Sequence, residues 1–275
     1  MHRALPYTDK SKQAEPRYLT MNIHFILRSL LFSCLAIMAL PTISRAQESG
    51  AQLAAGLRAK EHGSTSIRVR MQTANGILQL QIKSRVSDAN SDVVYQVLFP
   101  KERKGEAVLL HRSGDKFSGT TFTLPDSLKP IGQMSQPLFG SSLTCEDIID
   151  SPFMWSQQAI VGNEAIDNIP CQILESKPGK HTSSYASVKT WIDPRRLVPI
   201  RIEKYDSSGK VVRRIKITRV LLDGSDSLPA DLRVEGSSGA PTLITGAGIK
   251  RGVSFNDVEF TPEGLKQLSA APGAP

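Results

Sequence analysis

Residues 67–83 read IRVRMQTANGILQLQIK, and this stretch decides the fold class. Apolar and polar residues alternate on both sides of an Asn-Gly pair, the strongest short signal for a tight β-hairpin turn. Similar short segments, separated by turn residues, recur as far as 242–248. No helices alternate with them, which excludes a parallel α/β fold. The pattern predicts a mainly β (α+β) protein, with an antiparallel sheet of eight to eleven strands that must curl or close.

Two segments interrupt the strand pattern. Residues 49–60 place small and apolar side chains on one face and predict a short helix. Residues 125–154 contain three prolines and two glycines, which predicts a loop with short helices, one of them capped by Ser142 or Thr144. Because this second segment is also rich in apolar side chains, we expect it to fold back over the sheet.

The N-terminal region carries the pattern of an export signal. An apolar run of 11 residues, 30–40, follows Arg28. It is too short to span a bilayer, which takes about 20 residues. Small residues at Ser44 and Ala46 fit the signal-peptidase pattern, so we predict cleavage between Ala46 and Gln47.

This signal sets the expected domain organisation and the periplasmic localisation. We predict a signal peptide over 1–46, one domain over 47–268 including a last short helix, and a disordered tail over 269–275. Met21 is a candidate true start of the chain. Lipidation at Cys34 is an alternative that cleavage after residue 46 would remove.

Composition and charge exclude several functional classes. The 275-residue chain has a net charge of +8, and residues 1–46 hold six basic and two acidic side chains, leaving +4 on the remainder. This small excess of positive charge does not indicate the dense basic patch that a nucleic-acid-binding protein carries. No hydrolase, zinc-protease or phosphate-loop motif is present. We expect no catalytic residue, no cofactor and no metal site.

Two cysteines remain after the predicted cleavage, Cys145 and Cys171. An oxidising compartment would allow them to pair, and a disulfide of this loop length would contribute about 3 kcal/mol. The alternative is two buried free thiols.

Four stretches resemble the outer-membrane lipoprotein-sorting protein family, related to the LolA/LolB-like periplasmic carriers. They are GSSLTCED at 140–147, WIDP at 191–194, VPIRIEKYDSSGK at 198–210 and VSFNDVEFTP at 253–262. Their order and spacing carry the resemblance. Cys145 departs from the aromatic residue that the family commonly has there.

The resemblance implies a half-open β-barrel whose concave side is covered by helices and shields acyl chains of lipoproteins or other lipids. It implies a lid held closed by a strand arginine, without fixing which one. The expected partners are those acyl chains and an inner-membrane transporter or outer-membrane acceptor, and we expect a monomer. The alternative function is a periplasmic sensing or interaction module, or an exporter accessory protein, with the same fold.

Inward-facing apolar residues are the candidates for the ligand-binding surface, because such pockets are mostly apolar. A plain packed core is the alternative. The candidates are Met71, Leu80, Ile82, Phe99, Phe139, Phe153, Trp155, Ile200, Ile202, Ile215 and Ile217.

Charged residues offer two further hypotheses. An acidic cluster of Glu146, Asp147 and Asp150 is compatible with acid–base catalysis, but acids that favour a helix N-terminus explain it better. Arginines such as Arg201 and Arg214 are explained by cross-strand pairs with Glu203 on a solvated sheet face.

Overall fold

The computed structural model describes residues 40–224 and 226–270. The chain divides into two units, Met1–Ile43 and Ser44–Pro275, and the fold below is that of the second. The predicted signal sequence up to residue 39 and the tail from residue 271 lie outside the described residues.

The second unit is built on one antiparallel sheet of 13 strands in the order β6-β5-β4-β3-β2-β1-β13-β12-β11-β10-β9-β8-β7. The strands are β1 Gly63–Thr73, β2 Gly76–Val86, β3 Asn90–Phe99, β4 Ala107–Ser113, β5 Lys116–Thr123, β6 Ser127–Pro130, β7 Gln157–Ile166, β8 Ile169–Lys177, β9 Ser187–Asp193, β10 Val198–Tyr205, β11 Val211–Asp223, β12 Asp226–Gly236 and β13 Thr242–Arg251.

The sheet is a curved half-barrel, as the family resemblance implied, because β1 pairs with β13 at its centre and its edges do not meet. The Asn75-Gly76 turn joins β1 to β2, in register from Gly63↔Val86 to Thr73↔Gly76. Thirteen strands exceed the eight to eleven predicted. One reason is that β6 forms inside the segment 125–154, where its proline falls on an edge strand that tolerates it.

In the described part of the chain, three α-helices accompany the sheet: α1 Leu40–Glu61, α2 Cys145–Ile149 and α3 Pro262–Ala270. Helix α1 is longer than the predicted 49–60 and contains the predicted cleavage point. Helix α2 begins at the predicted cap Thr144, whose side chain accepts a hydrogen bond from the Asp147 amide while Asp147 accepts from the Thr144 amide. Helix α3 includes the first two residues of the predicted disordered tail.

The edge strands β6 and β7 are joined by residues 131–156, which we call the insert. Its residues Leu138, Leu143, Cys145 and Ile149 pack against β1–β4 and β11–β13 in the largest hydrophobic cluster. Ala54 and Leu57 of α1 pack with Leu174 and Ile192 of β8 and β9, and Phe153 of the insert joins them. The two covers of the sheet, α1 and the insert, therefore meet at Phe153.

The opposite face of β3–β5 is covered by the C-terminal segment. Phe260 and Leu265 are buried there with Val94, Leu109 and Phe122. Both faces of this arm are thus packed, which explains the apolar run on both faces of β3.

Both mature cysteines are buried free thiols in different hydrophobic clusters, Cys145 under the insert and Cys171 with Trp191. Of the two alternatives for this pair, the structure shows the thiols and not the disulfide.

Candidate functional site

A hollow lies between the concave face of the sheet and its two covers, and it consists of two adjoining lobes. The first, the apolar lobe, has a volume of about 370 Å³ and is lined mainly by aliphatic side chains of β1 and β10–β13. The second, the mixed lobe, has a volume of about 410 Å³ and extends toward β2–β4 and the insert. Both volumes fall in the lower range of small-molecule sites.

The two lobes differ in chemistry. The apolar lobe includes Ile67, Val69, Leu228 and Ile244, with few charged residues. The mixed lobe adds Arg58, Lys60, Ser84, Ser91, Arg112 and Lys204. The hollow therefore has an apolar end and a polar end, the arrangement that an amphiphile requires.

More than half of the predicted lining residues reach the hollow. These are Met71, Ile82, Phe153, Ile202, Ile215 and Ile217, and all six line the apolar lobe. Leu80 is fully buried in the main cluster and Phe139 packs against the same cluster, so both contribute to packing beneath the insert.

Phe99 and Ile200 lie elsewhere, for the same physical reason. A β-bulge separates the Gln79–Phe99 pair from the next pair of β2 and β3, and Phe99 ends 50% exposed. Another bulge follows Pro199, and Ile200 joins the cluster of Trp191 and Cys171. A bulge adds one residue to a strand and turns the residues beyond it to the other face.

Trp155 also lies outside the hollow, in a cluster with Tyr185 and Val188. Its indole N–H donates to Asp150 over 3.0 Å. It lines a separate cleft of about 750 Å³ whose walls include Asp88, Arg112 and His181. Five charged side chains line this cleft, so it is less suited to an apolar chain than the apolar lobe.

An ion-pair clasp fixes the insert across the hollow. The Asp147 carboxylate of α2 is fully buried and lies 2.8 Å from Lys204 Nζ of β10 and 2.9 Å from Arg213 Nε of β11. It also accepts a hydrogen bond from Tyr185 Oη over 2.8 Å. Arg213 is thus a strand arginine that contacts the cover.

The electrostatics of the clasp follow from this geometry. Burial alone would raise the pKa of Asp147, but Lys204 and Arg213 outweigh it and hold the pKa below its ordinary value. Burial would lower the pKa of Lys204, but Asp147 raises it. Both groups are therefore charged at neutral pH.

The other two acids of the predicted acidic cluster hold the same region together. Glu146 accepts hydrogen bonds from the Ser184 amide over 2.8 Å and from the Ser183 hydroxyl over 2.6 Å. Asp150 bonds His181 Nε2 over 3.1 Å as well as Trp155. The cluster is accounted for by contacts within the fold.

The predicted cross-strand pair of Arg214 with Glu203 is confirmed on the opposite face of the sheet, where Arg214 Nε lies 2.8 Å from the Glu203 carboxylate. Arg201 Nε lies 3.7 Å from the same carboxylate, but both residues belong to β10, so this contact is not a cross-strand pair. The Arg201 guanidinium also stacks over Trp191 at 3.8 Å. These arginines point away from the hollow.

Sequence reasoning missed two groups of lining residues. Leu221, Leu232 and Ile249 lie on β11, β12 and β13. Bulges between Ile217 and Val220 interrupt the alternation of β11 before it reaches Leu221. Leu232 follows the alternation of Leu228 and Val234 along β12, which is the signal that could have found it. Glu61, at the end of α1, lines both lobes. Nothing in the sequence distinguishes it from a solvated helix-terminal acid.

Within residues 40–224 and 226–270, no group of three or more His, Cys, Asp or Glu side chains is arranged to hold a metal ion. None of the helices described there combines the length and apolar character needed to cross a membrane.

Comparisons with known proteins agree with this architecture. A protein-family model described as "Uncharacterized protein" matches residues 89–267. No curated protein matches the chain.

Three solved structures are similar in fold. A DUF1329 family protein from Desulfovibrio piger superposes with a TM-score of 0.73 at 19% identity, over 80% of this chain and 99% of that one. A putative outer membrane lipoprotein-sorting protein domain from Vibrio parahaemolyticus gives 0.71 at 18% identity, over 80% and 99%. A LolA superfamily protein from Nitrosomonas europaea gives 0.61 at 20% identity, over 78% and 97%.

Proposed function

The chain belongs to the family whose model matches residues 89–267 and has the fold of outer membrane lipoprotein-sorting and LolA superfamily proteins, and from this premise we propose that it is a non-catalytic periplasmic carrier. Its cargo is the acyl chains of lipoproteins or other lipids. The observation that carries the proposal is the covered apolar lobe on the concave face. Fold alone does not define function, and the chemistry of this lobe is what supports the carrier role.

The lining supports an acyl-chain ligand. Aliphatic side chains from six strands, with Phe153 from the insert, present a surface without directional polar contacts. Each methylene moved from water onto such a surface contributes about 0.8 kcal/mol. A flexible acyl chain is therefore retained by the apolar surface area that it buries and not by specific hydrogen bonds.

The location and partners follow from the cargo. Under the proposal, the signal peptide over 1–46 directs export, and the 47–268 domain moves acyl chains through the periplasm as a monomer. An inner-membrane transporter would supply the cargo or an outer-membrane acceptor would receive it.

The first test is native mass spectrometry of residues 47–275, exported to a bacterial periplasm and purified without detergent, followed by organic extraction. A co-purified lipid or acylated peptide supports the carrier role, and its mass gives the substrate class. A clean apo mass with no uptake of added fluorescent fatty acid contradicts the role. It would favour the sensing or interaction module instead.

A matched pair of variants locates the binding site. Ala230 lines the apolar lobe, so Ala230→Trp fills it and should reduce fatty-acid uptake at least tenfold. Ala165 is exposed on edge strand β7, so Ala165→Trp should leave uptake unchanged. Circular dichroism of both variants establishes that the fold is retained. Equal uptake by both variants would place any binding outside the apolar lobe.

A further inference from the structure

Glu61 is a carboxylate placed where the two lobes of the hollow meet. It is the last residue of α1 and lines both lobes. The residue is exposed, yet burial raises the pKa of its carboxyl to about 7, with Ser151 and Arg112 offsetting part of the rise. The two observations agree because the exposed surface faces the interior of the hollow, where protein atoms surround the carboxylate.

The other charged groups that face the hollow are already engaged within the protein. Arg58 lies 3.1 Å from Asp88, Lys60 donates to the Arg196 carbonyl over 2.8 Å, and Arg112 donates to the Ser87 carbonyl over 2.9 Å. The remaining three are Asp147 and Lys204, paired in the clasp, and Asp150, held by Trp155 and His181.

Glu61 has no cationic partner at ion-pair distance among the described residues. Beside it lies the buried Ser151 hydroxyl, whose hydrogen bond to the Glu61 carboxylate lowers the pKa of that carboxyl. A carboxylate and a hydroxyl together match a ligand group that donates several hydrogen bonds.

We propose that the cargo of this hollow is an amphiphile whose head carries a protonated amine, bound by the Glu61 carboxylate while its chain occupies the apolar lobe. This inference rests on the proposed function and specifies its substrate class. An ammonium group brings three donors and the complementary charge, whereas a carboxylate head would meet a like charge. A neutral alcohol makes a weaker bond, because charge-assisted hydrogen bonds are about twice as strong.

The size of the apolar lobe sets the length of the probe. If a methylene occupies about the liquid volume of one water molecule, about 30 Å³, then a lobe of about 370 Å³ holds about twelve methylenes. Dodecylamine, 1-dodecanol and dodecanoate therefore form a matched set that differs in the head group alone.

The experiment measures displacement of the neutral dye N-phenyl-1-naphthylamine from residues 47–275 by each amphiphile, at pH 8.5 and pH 5.5. At pH 8.5 we expect dodecylamine to bind about tenfold or more tightly than 1-dodecanol, and dodecanoate to bind most weakly. At pH 5.5 Glu61 is protonated, so the amine should lose most of that advantage.

Two substitutions separate the role of Glu61 from a general effect of charge. Glu61→Gln should abolish the amine preference and its pH dependence while leaving 1-dodecanol binding within a factor of about three. Glu235→Gln is the control, since Glu235 pairs with Arg233 at 2.9 Å on the opposite face, and it should behave like the wild type.

The outcomes distinguish this inference from the proposed function. If the dye and all three amphiphiles bind without an amine preference, or if Glu61→Gln weakens all three equally, the inference is overturned and the carrier role stands. If neither dye nor amphiphile binds, both are overturned.

Discussion

Asp147 combines two tasks in one side chain, because it caps its own helix and pairs with two cations on neighbouring strands. A buried ion pair is a weak source of net stability, since both charges lose their hydration. Breaking one is costly, since the partner charges remain buried and unpaired. Lys204 and Arg213 are 5% and 13% exposed at their side chains, so they cannot recover water without local opening of the fold.

We therefore expect Asp147→Asn to lower the free energy of unfolding by about 3–5 kcal/mol, measured by urea denaturation at pH 7. The control is Asp167→Asn, because Asp167 pairs with Lys216 at the surface and such pairs contribute about 0–1 kcal/mol. Equal losses in the two variants would show that Asp147 is not a buried anchor.

The same ion pairs predict an acid transition. The folded-state pKa of Asp147 lies below its ordinary value, so the unfolded chain binds the proton first. The stability from this group is complete above the unfolded pKa of about 4 and is lost as the pH falls through the folded value. Urea midpoints measured between pH 7 and pH 2 should show this loss in the wild type and a smaller one in Asp147→Asn.

The two cysteines give a prediction about chemical reactivity. Burial raises the pKa of the Cys145 thiol to about 11 and also raises that of Cys171, and the thiolate is the reactive form. Maleimide should therefore leave both unmodified in the native protein and add two labels in denaturant. A denatured, unreduced chain that accepts no label would show that the two are oxidised.

Residue positions were predicted from the sequence where strand alternation is regular. Met71, Ile82 and Ile215 follow the period of two and reach the hollow as predicted. Phe99 and Ile200 do not, because bulges shift the faces of their strands, and no residue type in the sequence marks those bulges. The orientation of Glu61 depends on where α1 docks, which is a tertiary contact that local pattern does not contain.

At the scale of elements, α1 approaches the sheet unusually closely at Gly50. A Cβ there would lie 2.8 Å from the Ala159 Cα and the Gln158 carbonyl oxygen of β7, both of them backbone atoms that cannot move aside. Gly56 in the same helix differs, since a Cβ there would make an ordinary 3.5 Å contact with Leu197. Replacement of each glycine by alanine should therefore have opposite effects on the stability of the protein.

We predict that Gly50→Ala lowers the melting temperature and that Gly56→Ala raises it. Alanine is favoured over glycine in a helix by about 1 kcal/mol. At Gly56 no clash opposes this gain, because the added Cβ would make an ordinary contact. At Gly50 the clash with β7 outweighs it and displaces the helix. Thermal denaturation followed by circular dichroism measures both, and a stabilising Gly50→Ala would mean that α1 does not rest on β7.

The position of the insert follows from the topology. The two edges of the half-barrel, β6 and β7, are neighbours in sequence, so the segment that joins them must cross the open side. The apolar content of 125–154 predicted a cover over the sheet. Its contacts with Lys204 and Arg213 were not predictable, because they pair residues more than 50 positions apart and leave no local signal.

At the scale of the whole molecule, the predicted processing point lies inside α1, and residues of the helix that pack on the sheet follow it. Gly50, Ala54 and Leu57 are buried and all follow Ala46. Cleavage after Ala46 would leave a chain that still contains these three residues. Under the proposed export, cleavage would therefore not remove these buried residues from the folded domain.

This arrangement predicts that the protein recovered from a bacterial periplasm begins at Gln47 and that chains 40–275 and 47–275 melt at the same temperature. Intact mass gives the first result and calorimetry the second. The control is chain 58–275, which lacks both Ala54 and Leu57 and exposes their partners Leu174 and Ile192, so it should melt lower or fail to fold. If 47–275 were also less stable than 40–275, the first turns of α1 would belong to the folded domain, and cleavage after Ala46 would conflict with the fold.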